Sequence, residues 1–175
     1  MADVMPVSSA SAKLGRLVVV GLGLIGGSFA KGIREKGLFS EVVGVDLDAE
    51  SRRLAVELGV VDRCEIDLAA ACQGAAVIQL AVPILAMEKL LLQLAKLDLG
   101  QAVLTDVGSA KGNVVRAARL AFAGDNPRFV PGHPIAGSEQ SGVEASNAQL
   151  FRRHKVILTP QASTDAAALA LVDGL

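Results

Sequence analysis

Apolar residues in this chain fall into two alternating spacings. Short, nearly unbroken β-branched runs, Leu17 to Val20, Glu41 to Asp46, Ala75 to Val82 and Ala102 to Val107, predict strands buried on both faces. Between them the period lengthens to three and four, at Ile25, Phe29 and Ile33, then at Leu54, Ala55 and Leu58. The same helical period returns at Ile84, Met87, Leu91 and Leu94, and at Val114, Ala118 and Ala121 or Phe122. Polar residues occupy the opposite faces, with Lys31, Arg34, Glu35 and Lys36 on the first helix and Glu88, Lys89, Gln93 and Lys96 on the fourth. Chain punctuation agrees: Gly37 and Gly59 stop helices, Asp48 suits an N-cap, and Pro83 ends a strand. A short strand near Cys64 to Ile66 and a small helix from Asp67 to Cys72 complete this part.

The remainder is less regular. Phe129 and Val130 predict a sixth strand, Val156 to Leu158 a seventh, and Ser163 to Leu171 a final helix. Residues 1–15 are small, polar and patternless, which predicts a disordered tail before one domain over 16–175. Strands alternating with helices imply parallel pairing through right-handed crossovers, so the fold class is α/β with a doubly wound, mainly parallel sheet. Ligands of such sheets gather beyond the carboxyl ends of the strands, which directs attention to the loops after Val20, Val45, Val82, Val107 and Val130.

Composition narrows the function classes. The chain is 51% hydrophobic, yet charges and glycines interrupt every apolar run before the ~18 residues of a membrane span. A net charge of -1 and a pI of 6.1 argue against nucleic acid or an anionic membrane as partner. Cys64 and Cys72 stand near no histidine, so neither a metal site nor a disulfide framework is expected, and both read as small buried hydrophobes. Asp3 comes early and no basic start or apolar centre of a secretory signal follows, so a cytoplasmic location is expected.

Three loops carry candidate chemistry. GLGLIGGS, residues 21–28, joins the first strand to the first helix with the spacing GxGxxG. Gly21 allows the turn, Gly23 lets the backbone approach a pyrophosphate, and Gly26 lets the helix lie against the strand. The pyrophosphate sits on free N–H groups of the helix start, at Leu24 and Ile25. Asp46, twenty residues after Gly26, occupies the place of the carboxylate that binds the adenosine ribose hydroxyls of a dinucleotide. Leu47 and Asp48 offer no arginine for a 2′-phosphate, which favours NAD over NADP. Val82 and Pro83 belong to the same cofactor edge.

TDVGSAKG, residues 105–112, brings the Ser109 hydroxyl and another helix start to that edge; the other reading is a capped helix start with Lys111 solvated. It has neither Walker A nor GxSxG spacing. VPGHPIAGSEQSG, residues 130–142, reads as a loop that holds His133 rigidly between Pro131 and Pro134. Imidazole suits proton traffic near neutral pH, although a histidine bonded into a structural turn would look the same in sequence. Glu139 adds charge at the mouth of this site or is simply exposed. His154, within Arg152 to Lys155, reads as part of a solvated basic face.

With these blocks in view, the sequence resembles the prephenate and arogenate dehydrogenases of tyrosine biosynthesis. GLGLIGGS, TDVGSAKG and GHPIAGSEQSG (132–142) stand in the family's order and spacing, with a weaker match at FRRHKVILTP, 151–160. The resemblance implies a Rossmann-type NAD-binding domain and an oxidative decarboxylation of prephenate or arogenate, with NAD accepting hydride. It implies that His133 is the catalytic histidine acting on the substrate's 4-hydroxyl, with Ser109 beside the nicotinamide and the same hydroxyl. It also implies that Ser138 and Glu139 line the substrate pocket. Gln140 stands where many members carry lysine. Members continue into a helical domain that forms a homodimer and donates a substrate-binding arginine; that domain is absent from these 175 residues, so they are expected to bind NAD but to turn over poorly. The competing expectations are a β-hydroxyacid-type dehydrogenase and an NAD-binding module without catalysis.

Overall fold

A computed structural model describes residues 13–175, and residues 1–12 of the expected tail lie outside them. The first strand, β1, runs Leu14–Val20 and so begins two residues inside that expected tail. Its early start follows from pairing, since Leu14 lies opposite Phe39 and its N–H donates to the Leu38 carbonyl. The helix α1 spans Leu24–Lys36 and ends on Gly37, whose positive φ of 65° closes it as expected. There follow β2 (Phe39–Val45), α2 (Ala49–Glu57), β3 (Arg63–Glu65), α3 (Leu68–Cys72), β4 (Ala75–Leu80), α4 (Ile84–Leu94), β5 (Val103–Asp106), α5 (Lys111–Ala121) and β6 (Phe129–Val130). These six strands form one parallel sheet in the order β3-β2-β1-β4-β5-β6. The order reverses between β1 and β4, which opens a crevice at their carboxyl ends.

Alternation along the strands feeds two apolar layers. Val18, Val20, Ile78, Leu80 and Leu104 meet α3, α4 and α5, where Met87, Leu91 and Leu94 are fully buried and each contributes roughly 2 kcal/mol. Leu17, Val19, Val42 and Val77 meet α1 and α2 on the other face. Leu58 does not join them, against expectation, and is half exposed. The helix α2 stops one residue earlier, and the Val60 N–H returns to the Ala55 carbonyl at 2.8 Å, so Val60 and Val61 fill the core instead.

The largest departure lies at the end of the chain. Gly132–Pro134 is a strand, β7, and not the expected loop, and it pairs antiparallel with β8 (Val156–Leu158), placing His133 opposite Ile157. Prolines at both ends hid this strand, yet Pro134 lies at its boundary, where a missing N–H costs little. The last helix, α6, spans Ala166–Asp173 and begins later than expected because Asp165 accepts from the Ala168 N–H at 2.8 Å and caps it.

Between β7 and β8 the segment 143–151 is fastened along α1. Val143 is buried in the α1 layer, Asn147 N–H donates to Ser28 Oγ at 2.9 Å, and Phe151 meets Phe29 edge to face at 6.3 Å. Two glycines make the fit possible. A Cβ at Gly27 would lie 2.1 Å from Ser146 Oγ, and one at Gly32 would lie 3.1 Å from the Ala148 carbonyl oxygen.

Three adjacent strands are also tied by charge, for Glu41 on β2 accepts from Arg16 on β1 and Arg63 on β3, each at 2.7 Å. Arg63 foremost holds the Glu41 carboxyl below the ordinary carboxylate range, with Arg16 helping against partial burial. A lowered pKa in the folded state means stability that is present at neutral pH and lost as pH falls through that value. Glu41→Gln is expected to cost about 1 kcal/mol at neutral pH, the scale of a partly solvated network, and nothing at acid pH. Urea titrations at both pH values check this; equal losses at both would remove the electrostatic account.

Candidate active site

The glycine turn is sterically compelled. Gly21 has φ +94°, and a Cβ there would sit 2.5 Å from the Ala81 carbonyl oxygen, while a Cβ on Gly26 would come within 2.0 Å of the Gly21 oxygen. Gly23 differs, because a Cβ there meets nothing within 4 Å and would point into open space. It is the N-cap of α1, makes no side-chain cap bond, and no acidic residue occupies the first turn. The N–H groups at Leu24 and Ile25 are therefore left for an anion, and the macrodipole favours one.

Asp46 follows β2 at the neighbouring strand end. Its Oδ2 accepts from the Leu22 N–H at 2.7 Å and its Oδ1 from the Asp48 N–H at 2.9 Å, which fixes the carboxylate beside the glycine turn. Each oxygen retains acceptor capacity for a hydroxyl. Sequence spacing missed Arg52, one turn into α2, whose Nη1 donates to the carbonyls of Asp46 and Leu47 at 2.7 and 2.9 Å. Leu47 itself is 94% exposed at this rim, an apolar surface with no protein cover. Val82 is half-buried and Pro83 exposed after β4, across the crevice from this loop.

The turn after β5 and strand β7 meet at the same edge. His133 Nδ1 lies 3.2 Å from the Val107 carbonyl oxygen, which can only accept, so in the neutral ring this contact calls for the proton on Nδ1 and leaves Nε2 to accept. Ser109 stands two residues after Val107 and is exposed. The helix α5 that follows has Ala110 as N-cap with no side-chain bond, so the expected capping is not found.

Lys111 is not solvated. Its side chain is 17% exposed and forms an ion pair with Asp106, whose side chain is wholly buried, and its Nζ also donates to the Gly132 carbonyl at 2.5 Å. Asp106 further accepts from the Gly108 N–H at 2.8 Å and the Gly132 N–H at 3.2 Å. Burial lifts the Asp106 carboxyl above its ordinary value and pulls the Lys111 ammonium below its own, against their mutual attraction. Periodicity alone assigned Asp106 to a strand end; the available signal was an acid closing a buried strand with a lysine five residues on.

Ser138 and Glu139 lie on the exposed loop after β7, where Ser138 Oγ accepts from the Gln140 N–H at 3.2 Å. No hydrogen bond joins either to His133 among the described residues. His154 is exposed, its Nδ1 3.1 Å from the Arg152 carbonyl oxygen, in keeping with a solvated face. Cys64 and Cys72 are free, and burial raises both thiols, Cys72 to about 11, so neither is a thiolate at neutral pH. No group of three or more metal-ligating side chains occurs among the described residues. A cavity of about 670 Å³ between α1 and β8 takes in Gln79, Thr105, Asp106 and Gly132. It does not include Gly23, Asp46, Ser109 or His133, which lie around the crevice at the strand ends.

Residues 29–175 match the family model described as prephenate dehydrogenase, nucleotide-binding domain. The chain is 39% identical over 147 residues to a prephenate dehydrogenase of Lactococcus lactis subsp. cremoris, covering 83% of this chain and 41% of that protein. It is similar to the crystal structure of prephenate dehydrogenase from A. aeolicus in complex with hydroxyphenyl propionate and NAD+, with a TM-score of 0.85 and 36% identity, covering 94% of this chain and 57% of that one. Synechocystis arogenate dehydrogenase gives 0.81 and 33%, covering 92% and 55%. The chain thus spans about half the length of these relatives.

Proposed function

The chain belongs to the prephenate dehydrogenase nucleotide-binding family, and on that premise we propose that it binds NAD and serves the oxidative decarboxylation of prephenate or arogenate. The observation that carries the reading is the meeting, at one sheet edge, of an uncapped glycine helix start with a histidine whose Nε2 is left as acceptor. The open side of Gly23, the cradle enforced at Gly21 and Gly26, and the fixed Asp46 carboxylate fit a dinucleotide. NAD, when bound, supplies the hydride acceptor.

The protein's own residues do the rest. The N–H groups of Leu24 and Ile25 hold the pyrophosphate, and Asp46 accepts from the ribose hydroxyls. His133 takes the proton of the substrate's 4-hydroxyl on Nε2, which favours loss of hydride from the same carbon. Ser109 orients that hydroxyl, and Ser138 and Glu139 line the substrate side. The same reading includes a protein of the cytoplasm, in keeping with two free cysteines, and a homodimer formed through the helical domain that the resemblance implies. No helix among the described residues is long and apolar enough to cross a membrane.

The test pairs calorimetry with NAD and a spectrophotometric assay of NADH formation from prephenate and arogenate. Failure of a folded sample to bind NAD would remove the basis of the reading. Selectivity gives a second check. Asp46 repels a 2′-phosphate, and Arg52 Nη1 is committed to backbone carbonyls, so NAD is expected to bind at least about tenfold tighter than NADP, about 1.4 kcal/mol. Asp46→Asn should erase most of that preference, and equal affinities in the native protein would contradict the assignment.

A further inference from the structure

No side-chain carboxylate hydrogen-bonds the His133 ring among the described residues; a peptide group takes that place. The Val107 carbonyl that accepts from Nδ1 belongs to the same planar, trans peptide as the Gly108 N–H, which points the other way and donates 2.8 Å to Asp106 Oδ2. Asp106 therefore aims the carbonyl by holding the opposite end of one rigid unit. A Cβ at Gly108 would lie 3.1 Å from Asp106 Oδ2, so the turn wraps the carboxylate closely. The residue before the histidine is gripped as well. Gly132 gives its N–H to Asp106 Oδ1 at 3.2 Å and receives Lys111 Nζ on its carbonyl at 2.5 Å.

We propose that Asp106 and Lys111 are positioning residues for His133, acting through the Val107–Gly108 peptide and Gly132 to hold the imidazole as its Nδ1–H tautomer with Nε2 as acceptor. A buried ion pair is weak as a source of stability, because desolvation offsets most of the attraction. Its use here is geometric. It ties the turn after β5 to β7 and aims the Val107 carbonyl, the direct contact that fixes which ring nitrogen is basic. What Nε2 accepts rests on the proposed reaction; the tautomer does not.

The tautomer is measurable without substrate by nitrogen NMR on chain labelled with ¹⁵N-histidine, and with two histidines in the sequence the spectrum holds two ring systems. His154→Gln, at an exposed site, identifies the His133 signals. The neutral His133 ring is expected as Nδ1–H, and an Nε2–H ring in the native protein overturns the proposal. Asp106→Leu combined with Lys111→Met removes both charges and leaves neither orphaned, and should move at least about half of the neutral ring to the Nε2–H form. A folded double variant that keeps the native tautomer also overturns it. If that variant does not fold, Lys111→Gln keeps a donor to Gly132 and should still raise the Nε2–H fraction measurably; an unchanged fraction decides against the proposal. In the dehydrogenase assay, run on a version that carries the helical domain, Lys111→Gln should lower kcat by about fivefold or more, with KM and the NAD dissociation constant within about twofold. Because the spectra need no turnover, absence of dehydrogenase activity in a version that carries the helical domain would count against the proposed reaction alone.

Discussion

In a version that carries the helical domain, replacing His133 by asparagine is expected to lower turnover in prephenate- or arogenate-dependent NADH formation by about 10²-fold or more, with the NAD dissociation constant within about twofold of native. The asparagine amide nitrogen falls close to the place of Nδ1 and can still donate to the Val107 carbonyl, so the strand pairing with Ile157 and the anchor to the β5 turn are kept. Nothing then occupies the position of Nε2, so the hydroxyl proton has no positioned acceptor. The variant thus separates acceptor from anchor. The glycine turn and Asp46 lie on other strand ends, which is why cofactor affinity should stay. Near-normal turnover in His133→Asn would return the histidine to a structural part, as the pin between β7 and the β5 turn.

A second large effect is expected at the glycine turn, where substitution at one position should cost both stability and NAD binding and at another NAD binding alone. In Gly26→Ala the new methyl would lie 2.0 Å from the Gly21 oxygen and 2.8 Å from Ala81 Cβ. Neither neighbour can yield, because Gly21 N–H donates to the Val45 carbonyl and Ala81 N–H to the Val20 carbonyl, at 2.8 and 2.7 Å. The helix α1 must move instead, at a cost of about 3 kcal/mol, and its N–H groups leave their place over the turn. For a domain of this size that corresponds to a melting temperature lower by roughly 6–12 °C, with loss of NAD binding. Gly23→Ala meets no neighbour within 4 Å, so its melting temperature should be native while NAD binding falls by about tenfold or more. Thermal melts and calorimetry on both variants decide the matter; two variants that melt and bind like the native chain would show that the turn does not hold the cofactor.

Features that rest on local pattern were legible in the sequence. The parallel sheet follows from β-branched runs alternating with helical periods, and the glycine turn and Asp46 follow from spacing within one strand–helix–strand unit. What escaped depends on contacts between segments distant in sequence. Lys111 reads as a solvated residue of a helix start until β7 brings the Gly132 carbonyl beside it, 21 residues away. His133 reads as a loop residue until β8, more than twenty positions on, supplies a pairing partner. Arg52 turns back from α2 onto the loop after β2, a direction that side-chain period does not reveal. Leu58 has the right spacing for an inward face but the helix stops before it, and cap geometry decided the outcome.

The fastening of residues 143–151 along α1 divides the region after His133 into two kinds of chain. From Ile135 to Gly142 the backbone is exposed or half-exposed and carries Ser138 and Glu139, whereas from Val143 onward it is keyed into Gly27, Ser28 and Gly32. A graft that exchanges residues 135–142 between relatives of differing substrate preference therefore has a fixed abutment on each side, β7 before it and the α1 seat after it. A graft that runs on through Ser146 or Ala148 must bring its own α1 with it, because the notch and the segment that fills it are a matched pair.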